Sequence, residues 1–265
     1  MSSQLNAFEA LAMVPGWDVE SADIDELKGG LTNRTWVVEL DERRAVLKID
    51  DRPREAPFNS RPTEAHIQAA AAEQGLANPV ILATDTVYMT EYVDGVVWSL
   101  NCLEDNANLD SLAAGLKKLH SLPLTGRTFD PLGAAREYAR LIDPAEAVKV
   151  SEYLQKVEVG PRPPNLCCCH NDLVVANIVN VPDIRFLDWE YACDNDPFFD
   201  LATIVAHHNL TAEQSDHLLD SYFDGDGERW RDQLTRQTDV YEALLWLWGA
   251  ARPQGELQSD QGGER

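Results

Sequence analysis

The chain has 265 residues, 44% of them hydrophobic, enough to bury one large core or those of two lobes. Its formal net charge of -23 opposes the counterion-release chemistry of nucleic-acid binders and attraction to anionic membranes, so neither partner is expected. The N-terminus lacks a basic segment followed by a long apolar run, no stretch reaches 18 apolar residues, and five cysteines, three of them consecutive, fit free thiols; a cytoplasmic protein is expected.

In chain order, the first part reads as strands. LTNRTWVVEL and RRAVLKI are β-branched runs joined by a turn, which predicts an antiparallel hairpin with Gly29 and Gly30 ahead of it. The polar DDRPREAPFNSRP reads as a loop. TEAHIQAAAAEQGL, with a Thr cap, an early Glu and a terminal Gly, predicts a helix over about 63–74, and PVILAT and VYMTEYV predict two more strands. Beyond Asp94-Gly95 helical spacing dominates, in LDSLAAGLKKLHSL, PAEAVKVSEYLQKV, TAEQSDHLLDSYF and ERWRDQLTRQTDVYEALLWLWGAA. Strand character returns only over 166–191. The expected division is a sheet-rich lobe over 1–93, a helical lobe over 94–250 with a ligand cleft between the two, and a disordered polar tail over 251–265.

Chemistry concentrates in CCCHNDLVVANIV, residues 167–179. Three cysteines and a histidine are zinc-ligand types, but structural zinc sites separate their cysteines by two to four residues so that the chain can wrap the ion. In an extended segment Cys167 and Cys169 face one way and Cys168 the other, and no second cysteine pair or His-x-His spacing completes the set, so buried packing is the expectation. From Asp172 the spacing means more. Asn177 follows five residues later and Asp188 eleven after that. A hairpin around Pro182-Asp183 whose paired residue numbers sum to 365 sets Asn177 opposite Asp188; a longer loop would shift that register by one. An amide oxygen and a carboxylate are hard ligands suited to Mg²⁺, and Asp172 then becomes the acceptor for a hydroxyl proton.

The pattern His-x-Asp-x-x-x-x-Asn with an Asp closing the next strand is that of the protein kinase-like fold, and HNDLVVANIV...FLDWEYACDNDPFFDLA is similar to choline and ethanolamine kinases. Thiamine kinases and aminoglycoside phosphotransferases are relatives of that family. The resemblance spans roughly 28–248 and implies an α+β, two-lobed fold. Its N-terminal lobe would bind ATP, and its C-terminal lobe would hold catalysis and the acceptor. It further implies that GGLTNR, with Gly30 and Asn33, covers the phosphates; that Lys48 holds them, with Glu64 as its ion-pair partner; and that the backbone of Glu91, Tyr92 and Val93 meets adenine. His170 would brace the catalytic loop and Asp200 would support it. WE follows the metal aspartate where protein kinases have FG, and the chain is short beside eukaryotic choline kinases.

A strand continuing past Asp188 would place Glu190 on the metal-ligand side, where a carboxylate attracts a cationic acceptor. Trp246 and Trp248 resemble the late-helix tryptophans that line the choline pocket, although residues two apart on a helix point about 200° apart. The expected activity is therefore Mg²⁺- and ATP-dependent phosphorylation of a small cationic alcohol, choline favoured over ethanolamine. Thiamine kinase, aminoglycoside phosphotransferase and a non-catalytic pseudokinase are the alternatives. No GxxxxGK[ST] stretch exists, which argues against a P-loop mechanism.

Overall fold

A computed structural model describes residues 5–27, 34–54, 59–163 and 165–252. In chain order the elements are α1 (Ala7–Leu11), β1 (Asp23–Leu27), β2 (Arg34–Leu40), β3 (Arg43–Ile49), α2 (Arg61–Glu73), β4 (Val80–Ala83), β5 (Val87–Glu91) and β6 (Val96–Val97). Then come α3 (Asn106–His120), α4 (Pro131–Ala139), α5 (Ala147–Glu158), β7 (Cys167–Cys169), β8 (Ile178–Val181), β9 (Asp183–Phe186) and β10 (Cys193–Asn195). Helices α6 (Pro197–His207), α7 (Ala212–Tyr222) and α8 (Arg231–Ala251) follow. Two compact units result: Met1–Val97 with Asn177–Ala192, and Trp98–Ala176 with Cys193–Arg265. No helix among the described residues is long and apolar enough to cross a membrane.

The first unit is built on a five-stranded antiparallel sheet of order β1-β2-β3-β5-β4. Strand periodicity sorts its side chains. Val38, Leu40, Ala45, Leu47, Ile49, Val87 and Met89 join Ala10 and Leu11 of α1 in one core. Lys48 and Tyr88, each between two of those residues, therefore face the other way and are direct cross-strand partners. Tyr88 donates to Gln68 of α2 at 2.8 Å, so α2 belongs to that second face. Helix α2 starts earlier than the sequence suggests. Its cap is Ser60, which accepts from the Thr63 amide, and Pro62 sits in the first turn, where no N–H is needed.

Strands β8 and β9 form the expected hairpin in a shifted register. Ile178 pairs with Phe186 and Val181 with Asp183, so the paired numbers sum to 364, Pro182 alone turns the chain, and Leu187 donates its amide to the Asn177 carbonyl at 2.8 Å. Asp188 thus lies one residue beyond the position opposite Asn177. Gly95 has a steric reason: a Cβ there would lie 2.5 Å from the Asn180 carbonyl and 2.3 Å from Val181. Its absence lets β6 pair with β8.

The second unit is helical. Helix α8 packs against α4, α5 and α6, and α3 packs against α7. A two-stranded ribbon, β7 with β10, pairs Cys169 with Cys193 and Cys167 with Asn195. Asp194 accepts from the Thr125 amide at 2.6 Å and the Gly126 amide at 3.0 Å, which ties the segment after α3 to this ribbon.

Candidate active site

Left-handed backbone occurs at one residue of the DxxxxN...D constellation and at the neighbour of another. Asn171, beside Asp172, has φ 65°, and Asp188 has φ 63°. Asn and Asp tolerate this region better than other non-glycine residues, and such conformations concentrate where function requires them. Asp188 lies two residues past the end of β9. A single 3-10 turn, Trp189–Tyr191, follows it, locked by Trp189 Nε1 donating to the Phe186 carbonyl at 3.0 Å and by the Asn59 amide on the Ala192 carbonyl at 2.8 Å.

The Lys48 ammonium lies 2.7 Å from Asp188 Oδ1. Burial alone would lower the lysine, but Asp188 and Glu64 together outweigh it and hold Lys48 above its ordinary value. Burial would likewise raise Asp188, and the Lys48 charge and hydrogen bond, with Arg61 and Arg54, outweigh it and hold the carboxyl below its ordinary value. Both groups are ionised at neutral pH.

Glu64 has a different cation from the one expected. Its carboxylate takes Arg61 at 2.8 Å and Arg54 at 3.7 Å; it acts on Lys48 through its field, while the ion pair of Lys48 is with Asp188. Glu190 differs more. Because a 3-10 turn replaces the continued strand, the two-residue alternation does not apply, and its carboxylate meets Arg54 at 2.7 Å with both side chains 6% exposed. A buried carboxylate already neutralised by the chain is poorly placed to attract an acceptor. Asp50 completes this cluster, taking Arg54 at 3.0 Å and Arg61 at 2.6 Å. The sequence reading missed Asp50, Arg54 and Arg61, since arginines in a polar, proline-rich run ordinarily signal a solvated loop.

In the second unit the fully buried Asp200 organises the loop before Asp172. Its carboxylate accepts from the His170 amide at 2.9 Å and the Asn171 amide at 2.7 Å, and His120 Nε2 lies 3.1 Å away. The Asn171 side chain is held in turn by Asn195 at 2.7 Å. Asp172 itself is half-buried, and its charge raises Tyr241 of α8 after burial has done so.

Trp246 and Trp248 each carry a cation from their own unit. Trp246 stacks on Tyr153 with the Lys149 ammonium 4.5 Å from its ring, and the Arg252 guanidinium lies 3.6 Å over Trp248. In the expected adenine segment, the Glu91 amide donates to Pro79 and its carbonyl accepts from Asn78, while the Tyr92 amide donates to Arg44. Gly30 and Asn33 lie outside the described residues.

The second unit thus holds an Asp172 loop braced by Asp200, and the first unit a strand lysine paired with the aspartate that follows a hairpin. Residues 23–241 match the family model described as "Phosphotransferase enzyme family", and the chain belongs to that family. It is 31% identical over 166 residues to the protein LicA of Haemophilus influenzae, a match covering 58% of this chain and 62% of that protein. With the thiamine kinase of Salmonella heidelberg it shares 33% identity over 155 residues, 54% of this chain and 53% of the relative. The structure of choline kinase LicA from Streptococcus pneumoniae superposes with a TM-score of 0.71, at 19% identity, over 92% of this chain and 87% of that one. That likeness shows the protein kinase-like fold.

Proposed function

We propose that this chain transfers the γ-phosphoryl group of ATP to the hydroxyl of a small cationic alcohol, choline before ethanolamine. The observation that carries the reading is the Lys48–Asp188 pair at 2.7 Å, which brings together groups 140 residues apart in sequence, one suited to phosphate oxygens and one to a metal ion. The donor set fits Mg²⁺: the Asn177 amide oxygen and the Asp188 carboxylate are hard ligands, and such an ion takes its remaining oxygens from phosphates and water. When bound, Mg²⁺ would neutralise charge on the phosphates.

The protein's residues supply the remainder. Lys48 meets the phosphate oxygens, and Asp188 and the field of Glu64 keep it protonated. Asp172 orients the acceptor hydroxyl and accepts its proton, on a loop that Asp200 holds by two backbone amides. Glu64 and Glu190 act as positioning residues within the Asp50–Arg54–Arg61 cluster. With the Glu91 backbone engaged, the Tyr92 carbonyl and Val93 are assigned to the base. Choline is favoured by the resemblance to LicA. The resemblance assigns Trp246 and Trp248 to it, and a quaternary ammonium would take the place of Lys149 or Arg252 on their rings.

Consumption of ATP is measured with choline, ethanolamine, thiamine and kanamycin in parallel, Mg²⁺ present. Stimulation by choline, abolished in Asp172→Asn with Mg-ATP binding retained, is the expected result. Stimulation by thiamine alone would move the acceptor to the thiamine-kinase reading, and stimulation by none of them would overturn the proposal.

A further inference from the structure

The three cysteines of β7 are absorbed by neither the phosphoryl-transfer chemistry nor the core alone. Cys167 and Cys169, two apart on a strand, point to the same side, and their sulfurs lie 3.6 Å apart. Helix α3 brings His120 against them. The ligating atoms of His120, Cys167 and Cys169 all lie within 4.8 Å of one another, the one such group of His, Cys, Asp or Glu side chains among the described residues. Two thiolates at about 2.3 Å from one tetrahedral ion sit about 3.8 Å apart, so the pair already has nearly the bite of a metal site.

We infer that Cys167, Cys169 and His120 form a binding site for a thiophilic closed-shell cation of the Zn²⁺, Cd²⁺ or Cu⁺ class. Soft thiolates with an imidazole select these ions over Mg²⁺ and Ca²⁺. The surroundings of His120 suit ligation. Its Nδ1 is 2.7 Å from the Tyr222 hydroxyl and its Nε2 is 3.1 Å from Asp200. Ligation through Nδ1 displaces one hydroxyl and leaves Nε2–H on a carboxylate, the outer partner that metal-bound histidines commonly have. Cys169 is fully buried, whereas Cys167 is partly exposed and gives the ion a way in. Cys168, facing the other way, takes no part. Local spacing argued against zinc because no further ligand lies nearby in the chain; the third donor is supplied by tertiary structure.

The test uses the full chain, reduced and stripped with chelator, and needs no turnover. Zn²⁺ is titrated in competition with a chromophoric chelator, and Cd²⁺ is added separately to read the thiolate-to-cadmium absorption, whose intensity counts the thiolates bound. One Zn²⁺ per chain and a two-thiolate cadmium signal are expected. In Cys167→Ser the affinity should fall by at least the ~100-fold that loss of an outer-shell partner can cost, and the cadmium signal by half, while Cys168→Ser should match the unsubstituted chain. Cys167 is only partly buried, so its serine variant is the one to rely on should Cys169→Ser fail to fold. No retained zinc, or the same affinity and cadmium signal in Cys167→Ser as in the unsubstituted chain, would overturn the assignment.

Discussion

Replacing Arg54 with methionine removes the guanidinium that meets Glu190 and leaves Arg61 to Asp50 and Glu64, so three buried carboxylates share one cluster guanidinium. The native cluster holds two cations against three anions, a net charge of one negative. Arg54→Met makes it two negative, and Glu190→Gln makes it zero. Side-chain exposures in the cluster run from 0% to 7%, so water does little to screen the difference. Removing one partner of a buried pair costs about 3–5 kcal/mol, because the remaining charge is uncompensated. Glu190→Gln keeps an amide oxygen for Arg54, which also retains Asp50 at 3.0 Å, so its cost is about 1 kcal/mol, the net value of one hydrogen bond.

The ionisation of Glu190 adds a pH signature. Burial, then the charge of Asp188, raises its carboxyl above the ordinary 4.5, against the pull of Arg54 and Lys48. A group whose folded value is raised binds more protons folded than unfolded. Its contribution is therefore greatest at low pH and declines as pH climbs from about 4.5 through the folded value. Glutamine has no such decline. In urea melts followed by tryptophan fluorescence at pH 7, the Arg54→Met midpoint should fall by about 1 M or more, and that of Glu190→Gln by a small fraction of this. As pH rises from about 4.5 through the folded value, the native chain should lose ground relative to Glu190→Gln. Equal midpoints, or a larger loss for Glu190→Gln, would refute the reasoning and return Glu190 to an acceptor-binding role.

Gly95→Ala should destabilise by about 1–3 kcal/mol, since its Cβ would meet the Asn180 carbonyl, which is backbone and cannot rotate away. Thermal melting checks this, and an unchanged midpoint would contradict the β6–β8 contact. Asp188 gives a second pH dependence, of opposite sign. Its folded carboxyl titrates below the ordinary 3.8, so its contribution is complete above that value and is lost as pH falls through the folded one. The stability difference between the native chain and Asp188→Asn should therefore be flat from pH 5 to pH 7 and shrink on further acidification. Parallel profiles for the two proteins would show that Lys48 does not hold Asp188.

The sequence by itself determined features that depend on neighbours along the chain. Alternation in RRAVLKI sets Lys48 on the face opposite Ala45, Leu47 and Ile49, because side-chain direction repeats every two residues. The β8–β9 hairpin was legible for the same reason, and its register differs by one only because Pro182 turns the chain alone. The buried cluster was not legible. Arg54, Arg61 and Asp50 read as loop charges, and only folding removes them from water and supplies Glu64 and Glu190 as partners. Helix α1 was also missed, being five residues long and held by an Asn6–Glu9 capping box.

Tertiary structure alone decided how the site residues meet. Lys48 and Asp188 are 140 residues apart in sequence, and His120 and Asp200 are 80 apart; no local spacing encodes either contact. Glu190 shows the limit most plainly. The left-handed Asp188, just past β9, leads into a 3-10 turn that redirects the next side chains, so a carboxylate expected to face an acceptor is buried against Arg54. The same holds for Cys167 and Cys169, which the sequence places on one side of a strand but which meet an imidazole only where α3 packs beside β7.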